Sequence, residues 1–195
     1  MLYYLKEWSH LWGPLNLFQY VTFRALGGAA TAFALSLLCG PLVIRRLTML
    51  GLRHPSRLKD VPELDGHYAK KRVPTMGGVL IIGTTTIGTL LWAIPRNALV
   101  WLTLAVMWTM GAVGAADDLL KITARNSKGL PGRWKLVAQA VCAVVLVAVL
   151  WQKPQWRPMA SDLAVPFLKT PLVTNLGPVM SALFALLVLA GCSNA

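Results

Sequence analysis

Acidic side chains are scarce in this chain: seven Asp and Glu among 195 residues, against nineteen Lys and Arg. Charge of either sign is sparse, at 13% of residues. A soluble domain of this length offers water far more polar surface, so the composition argues for a membrane protein. Cysteine is nearly absent too. Cys39, Cys142 and Cys192 each sit inside an apolar run, and no CxxC spacing occurs. That excludes a disulfide framework or a zinc ribbon and leaves three small core residues. His10, His54 and His67 have no metal-ligand spacing. No internal repeat and no low-complexity linker breaks the chain, so neither a solenoid nor a string of domains is expected.

What the chain has instead is apolar length, with 56% of its residues in the hydrophobic set. A membrane helix takes about 20 such residues to cross ~30 Å of hydrocarbon. Five stretches meet or approach this, over about 22–44, 74–94, 97–116, 135–152 and 172–195. The first is too long for the apolar core of a cleaved signal peptide and is read as a retained helix. Pro95-Arg96-Asn97 predicts a tight turn between the second and third stretches. The expected fold is an all-α, polytopic transmembrane helical bundle with five spans, forming a single transmembrane domain over 1–195.

The net charge of +12 would suggest nucleic acid in a soluble protein. Here the bases lie between apolar runs, which indicates topology instead and gives no nucleic-acid partner. Eight bases fall between Arg45 and Arg72, and five between Asp117 and Lys135. The loops at about 45–73 and 117–134 are therefore expected on the cytoplasmic side. The N-terminus, the Arg96 turn and the segment Lys153–Lys169 are expected outside. Trp92, Trp134, Trp151 and Trp156 lie near the proposed span ends, where indole rings favour the interface.

Three clusters could carry chemistry. Asp117 and Asp118 follow directly on an uncharged run, with Lys121 at i+4 and i+3. Adjacent carboxylates repel, which favours a cation beside them, and Mg²⁺ suits carboxylate and phosphate oxygens. If the helix continues past the apolar run, the three side chains share roughly one face. A solvated helix end, with the acids paired to Lys121, is the plain alternative. The second cluster is Lys70-Lys71-Arg72-Val73-Pro74-Thr75-Met76-Gly77-Gly78. Three bases meet a Pro-led first helical turn whose free N–H groups favour an anion; an ordinary basic flank of a span would look similar. The third runs from Lys128-Gly129-Leu130 through Pro131-Gly132 to Lys135, followed by Gln139. Its Gly-Leu-Pro-Gly run is a turn, and a Lys at the start of a helix opposes the helix dipole, which favours a functional reason for it.

In this order and at these positions, the clusters resemble the polyprenyl-phosphate N-acetylhexosamine-1-phosphate transferases. The run Pro74-Thr75-Met76-Gly77-Gly78 is similar to the signature after that family's first cytoplasmic loop. Ala116-Asp117-Asp118-Leu119-Leu120-Lys121 is similar to its Asp-Asp-x-x-Lys motif. Gly191-Cys192-Ser193-Asn194-Ala195 is similar to the opening of its Ser-Asn-Ala-Val-Asn-Leu-Thr-Asp-Gly run. Val73 departs from the family, which usually has Thr there.

The resemblance implies an enzyme of the bacterial inner membrane, multi-pass, with a periplasmic N-terminus and a cytoplasmic active-site face. It implies transfer of phospho-MurNAc-pentapeptide from UDP-MurNAc-pentapeptide to undecaprenyl phosphate, giving lipid I and UMP for peptidoglycan synthesis, with Mg²⁺ as cofactor. Asp117 and Asp118 would be catalytic, and both are candidates for contact with the metal. Lys70, Thr75, Lys121 and Lys135 would bind substrate phosphates. Membrane lipid is an expected partner, and a homodimer a candidate assembly. The family fold has ten spans, so this chain is expected to hold its N-terminal half, to lack the main Mg²⁺ ligand, and to be inactive alone. Two other readings stand beside this one. One is a transferase that loads GlcNAc-1-phosphate onto the same lipid. The other is a non-catalytic protein whose basic loops bind anionic lipid, which would have no use for acids at the mouth of a span.

Overall fold

The computed structural model describes residues 2–10, 12–49, 77–123, 129–165 and 168–194. Lys70 and Thr75 lie outside the described residues. The described chain is helical, without a β-strand among its described residues. It divides into two compact units, Met1–Gly129 and Leu130–Ala195.

The first unit begins with two 3₁₀ helices, Leu2–Trp8 and Gly13–Gln19, and continues into α1 (Val21–Met49), α2 (Gly77–Trp92) and α3 (Ala98–Thr123). α1 packs along α2. Their backbones come close because the crossing is lined with small residues. A methyl group added to Gly88 would lie 2.8 Å from the Gly28 carbonyl oxygen and 3.2 Å from Ala32 Cβ. In lipid, where apolar side chains gain nothing by leaving the solvent, such close packing is what holds helices together. Trp92 closes one end of this pair. Its ring stacks on Phe18 at 5.5 Å between centroids and meets Phe23 edge-on at 5.7 Å.

The turn between α2 and α3 falls where Pro95-Arg96-Asn97 predicts it. Asn97 N–H donates to the Ile94 carbonyl at 3.1 Å, and Asn97 Oδ1 accepts from Leu99 N–H at 3.0 Å, capping α3. Trp101 Nε1 donates back to the Pro95 carbonyl at 2.8 Å. Further along, Trp108 Nε1 donates to Thr86 Oγ1 at 3.1 Å and ties α3 to α2.

The second unit pairs α4 (Gly132–Gln152) with α6 (Pro178–Asn194). Between them lie a short helix, α5 (Arg157–Ser161), and an ordered connection. Leu163 and Val173 form an antiparallel bridge. Asp162 Oδ1 accepts from Ser161 Oγ at 3.0 Å and from Asn175 N–H at 3.1 Å. Non-helical hydrogen bonds thus occupy the connection, and α6 begins at Pro178, six residues beyond the start of the apolar stretch at 172. Asp162, one of the few acids, is thereby accounted for as a local structural residue.

Three helices, α1, α3 and α4, are long and apolar enough to cross a membrane, and α2 and α6 are shorter apolar helices. Large apolar side chains such as Phe33, Leu38, Leu42, Val144 and Leu187 remain exposed, which water would not tolerate in such number. The architecture is that of a membrane-embedded helical bundle. Helical structure also exceeds the apolar runs. α1 continues to Met49 and α3 to Thr123, so residues 45–49 and 117–123 are helix and not loop. Hydrogen bonding, and not the apolar boundary, sets where a helix stops.

Candidate functional site

The site is built on that extra length of α3. Ala116 ends the uncharged run, yet α3 holds its 3.6-residue period for two further turns. Asp117, Asp118 and Lys121 therefore project from one side of a continuous helix. Lys121 Nζ donates to Asp117 Oδ2 at 2.6 Å and stands 3.8 Å from Asp118 Oδ1. The two acids are not equivalent. Asp117 has a side-chain exposure of 8%, and Asp118 of 33%. Asp117 is thus a buried carboxylate held by an ammonium, whereas Asp118 remains open to an approaching ligand.

Lys121 lies past the last apolar turn. Its hydrogen bond to Asp117 raises its pKa above the ordinary lysine value, against partial desolvation, with the charges of Asp117 and Asp118 adding to the rise. The ion pair thus favours the charged ammonium over the neutral amine. It is a point charge with three donors, suited to carboxylate and phosphate oxygens alike.

Gly129 forms the wall behind this pair. Its φ is +52°, a conformation that costs glycine little and other residues more. A methyl group on it would lie 2.5 Å from Asp117 Oδ1 and 2.6 Å from Lys121 Cε. The Gly129 backbone therefore lies directly against the ion pair. In the sequence Gly129 reads only as part of a Gly-Leu-Pro-Gly turn; its positive φ and its position against the ion pair come from the structure.

Lys135 lies in the first turn of α4, in the second unit, with its side chain half-buried. Gln139, one helical turn further on, is 2% exposed, and its Nε2 donates to Ser193 Oγ at 2.6 Å. Sequence reasoning did not assign either partner of this bond. The available signal was a carboxamide within an otherwise apolar run, which is costly in hydrocarbon unless it is bonded.

Among the described residues, no group of three or more His, Cys, Asp or Glu side chains is gathered as a metal site. Asp117 and Asp118 are a two-carboxylate set, with Asp117 already engaged by Lys121. That set fits the way Mg²⁺ is commonly held, by one or two carboxylates completed with phosphate oxygens and water.

Residues 100–195 match the model of Glycosyl transferase family 4. Over that stretch, about half of its length, the chain is similar to this family. Among curated proteins it is similar to three named phospho-N-acetylmuramoyl-pentapeptide-transferase. It is 40% identical to that of Methylacidiphilum infernorum (isolate V4) over 199 residues, covering 100% of this chain and 54% of the relative. The protein of Granulibacter bethesdensis is 45% identical over 181 residues, with 92% and 49% covered. That of Desulfotalea psychrophila is 38% identical over 199 residues, with 100% and 52% covered. The chain spans about half the length of the curated relatives it matches.

Proposed function

We propose that the protein to which this chain belongs transfers phospho-MurNAc-pentapeptide from UDP-MurNAc-pentapeptide to undecaprenyl phosphate. The products are UMP and lipid I, a precursor of peptidoglycan. The observation that carries the proposal is the buried Asp117 paired with Lys121 beside the more open Asp118, at the end of a membrane-length helix. The names of the three relatives supply the substrate class.

In the proposed reaction an oxygen of the lipid phosphate bonds to the sugar-bearing phosphorus of the donor. The bond from that phosphorus to the UMP oxygen breaks, and UMP leaves with the electron pair. Little covalent work falls to the protein in such a transfer; positioning and charge neutralisation do most of it. Lys121 is the fixed positive charge for a phosphate oxygen, and Asp117 holds it in place. Asp118, the open carboxylate, is the residue offered to a metal. Mg²⁺, when bound, would neutralise diphosphate charge and the departing UMP. Lys70, Thr75 and Lys135 are proposed as further phosphate contacts. The excess of bases between Arg45 and Arg72 and between Asp117 and Lys135 supports a cytoplasmic site in the bacterial inner membrane, with the N-terminus periplasmic.

The test is UMP release by the full-length transferase carrying this segment. Asp117→Asn and Asp118→Asn are each expected to lower turnover about 100-fold, the order of one positioned catalytic group. Membrane insertion should be little changed. Near-normal turnover in both variants would reduce the pair to a solvated helix end and end the proposal.

A further inference from the structure

We infer that Gly129 is a positioning residue for the Asp117–Lys121 pair, a role that rests on the transferase reading of that pair. Two independent features of one residue carry it. The first is the backbone conformation, with φ of +52°, in the left-handed region that glycine adopts readily. The second is the missing side chain. The site a Cβ would occupy lies 2.5 Å from Asp117 Oδ1, 2.6 Å from Lys121 Cε and 3.1 Å from Lys121 Cγ. Real side chains do not approach so closely, so any substituent there displaces a member of the pair.

The contact involves both partners at once. It meets the carboxylate on Oδ1, the oxygen other than the Oδ2 that accepts the Lys121 hydrogen bond. It also meets the lysine stem at two carbons. A lysine side chain is long and flexible and loses rotamer freedom when held in one geometry. Backbone lying against its stem narrows that freedom before any phosphate arrives. Gly129 thus acts on chemistry only through Lys121 and Asp117. It fixes where the ammonium points and leaves Asp118, which the contact does not involve, open.

A turn glycine needed merely for folding and a glycine that shapes the ion pair make different predictions. The experiment measures kcat and KM for UMP release by the full-length transferase, normalised to the amount inserted in membranes. The variants are Gly129→Ala, Gly129→Asn, Lys121→Ala and the double variant Gly129→Ala/Lys121→Ala. Misplacement of a reacting group by 1 Å costs about 100-fold in rate. Gly129→Ala is therefore expected to lower kcat tenfold to about 100-fold, with KM for the nucleotide donor changed less than about threefold.

Asn tolerates positive φ but brings the same Cβ, so Gly129→Asn should be as impaired as Gly129→Ala. Recovery in Gly129→Asn would show that backbone conformation alone matters and would overturn the inference. In the Lys121→Ala background most of the Gly129→Ala loss should vanish, because the stem it displaces has gone; losses that multiply would also overturn it. If Lys121→Ala itself turns over normally, the transferase reading of the pair fails. If Lys121→Ala is impaired and Gly129→Ala is not, only the positioning role fails.

Discussion

Gln139 Nε2 donates a 2.6 Å hydrogen bond to Ser193 Oγ, and Ser193 Oγ in turn donates to the Leu189 carbonyl at 2.6 Å. The bond joins α4 to α6 across 54 residues of sequence. It is asymmetric. Ser193 keeps a partner within its own helix, whereas Gln139 Oε1 is buried with no hydrogen bond among the described residues.

That asymmetry gives an ordered pair of stabilities. Ser193→Ala strands the Gln139 amide and should cost about 1–2 kcal/mol. Gln139→Leu removes an acceptor that was unsatisfied and leaves Ser193 bonded to Leu189, so it should cost less than about 1 kcal/mol. Thermal unfolding of the full-length protein in detergent reads both. The reverse order would mean that the amide matters more than the geometry implies.

The α1–α2 crossing predicts a second contrast. At Gly88 a methyl group would meet backbone, which cannot move aside, so Gly88→Ala should lose about 1–3 kcal/mol as overpacking. Gly83, on the same helix, has nothing within 4 Å of the corresponding point. Gly83→Ala should leave the melting temperature unchanged or raise it. Equal melting of the two variants would show that the crossing is not as close as described.

Topology is the third prediction, and it rests on the bases in the sequence. Single cysteines replacing Lys59 or Arg125, in a protein freed of its native cysteines, should react with an impermeant thiol reagent only after the cytoplasm is opened. One replacing Arg157 should react from outside in intact cells. Labelling of Lys59→Cys from the periplasm would invert the orientation.

The fourth concerns residues 1–195 expressed alone. Asp117 is committed to Lys121, so Asp118 is the one open carboxylate at the end of α3. The segment spans about half the length of its curated relatives, so the nucleotide site proposed for the full-length transferase is expected to need residues outside it. No UMP release above a no-enzyme control is expected from this segment in detergent with both substrates and Mg²⁺. Release that disappears on Asp117→Asn would show that the segment suffices.

Much of this was readable because it is periodic or local. Uncharged length marks the apolar helices, and Pro95-Arg96-Asn97 marks its own turn. The i, i+3 and i+4 spacing puts Asp118, Asp117 and Lys121 together once the helix is known to continue. What could not be read depends on meetings between distant residues. Gly129 signals a turn, but its chain neighbours do not say that the turn will lie on Asp117. Gln139 is conspicuous as a lone amide, yet Ser193 is one of several hydroxyls that could have answered it. The late start of α6 follows a connection that holds the Leu163–Val173 bridge, in a stretch where composition gives no boundary. Lys70 and Thr75 lie outside the described residues.

α3 is one unbroken rod from the Asn97 cap to Thr123, 26 residues or about 39 Å at 1.5 Å each. Asp117 stands about 29 Å along it from Ala98, close to the ~30 Å depth of a hydrocarbon core. The rod works as a depth gauge. With one end held by the Pro95–Asn97 turn, the other sets the acids at the surface. A bilayer thicker by a few ångströms would draw Asp117 and Asp118 below the headgroups unless the helix tilted less, and a thinner one would lift them clear or force more tilt. On the proposed transferase reading, turnover of the full-length protein reconstituted in lipids of graded acyl length should show an optimum near the gauge's own length.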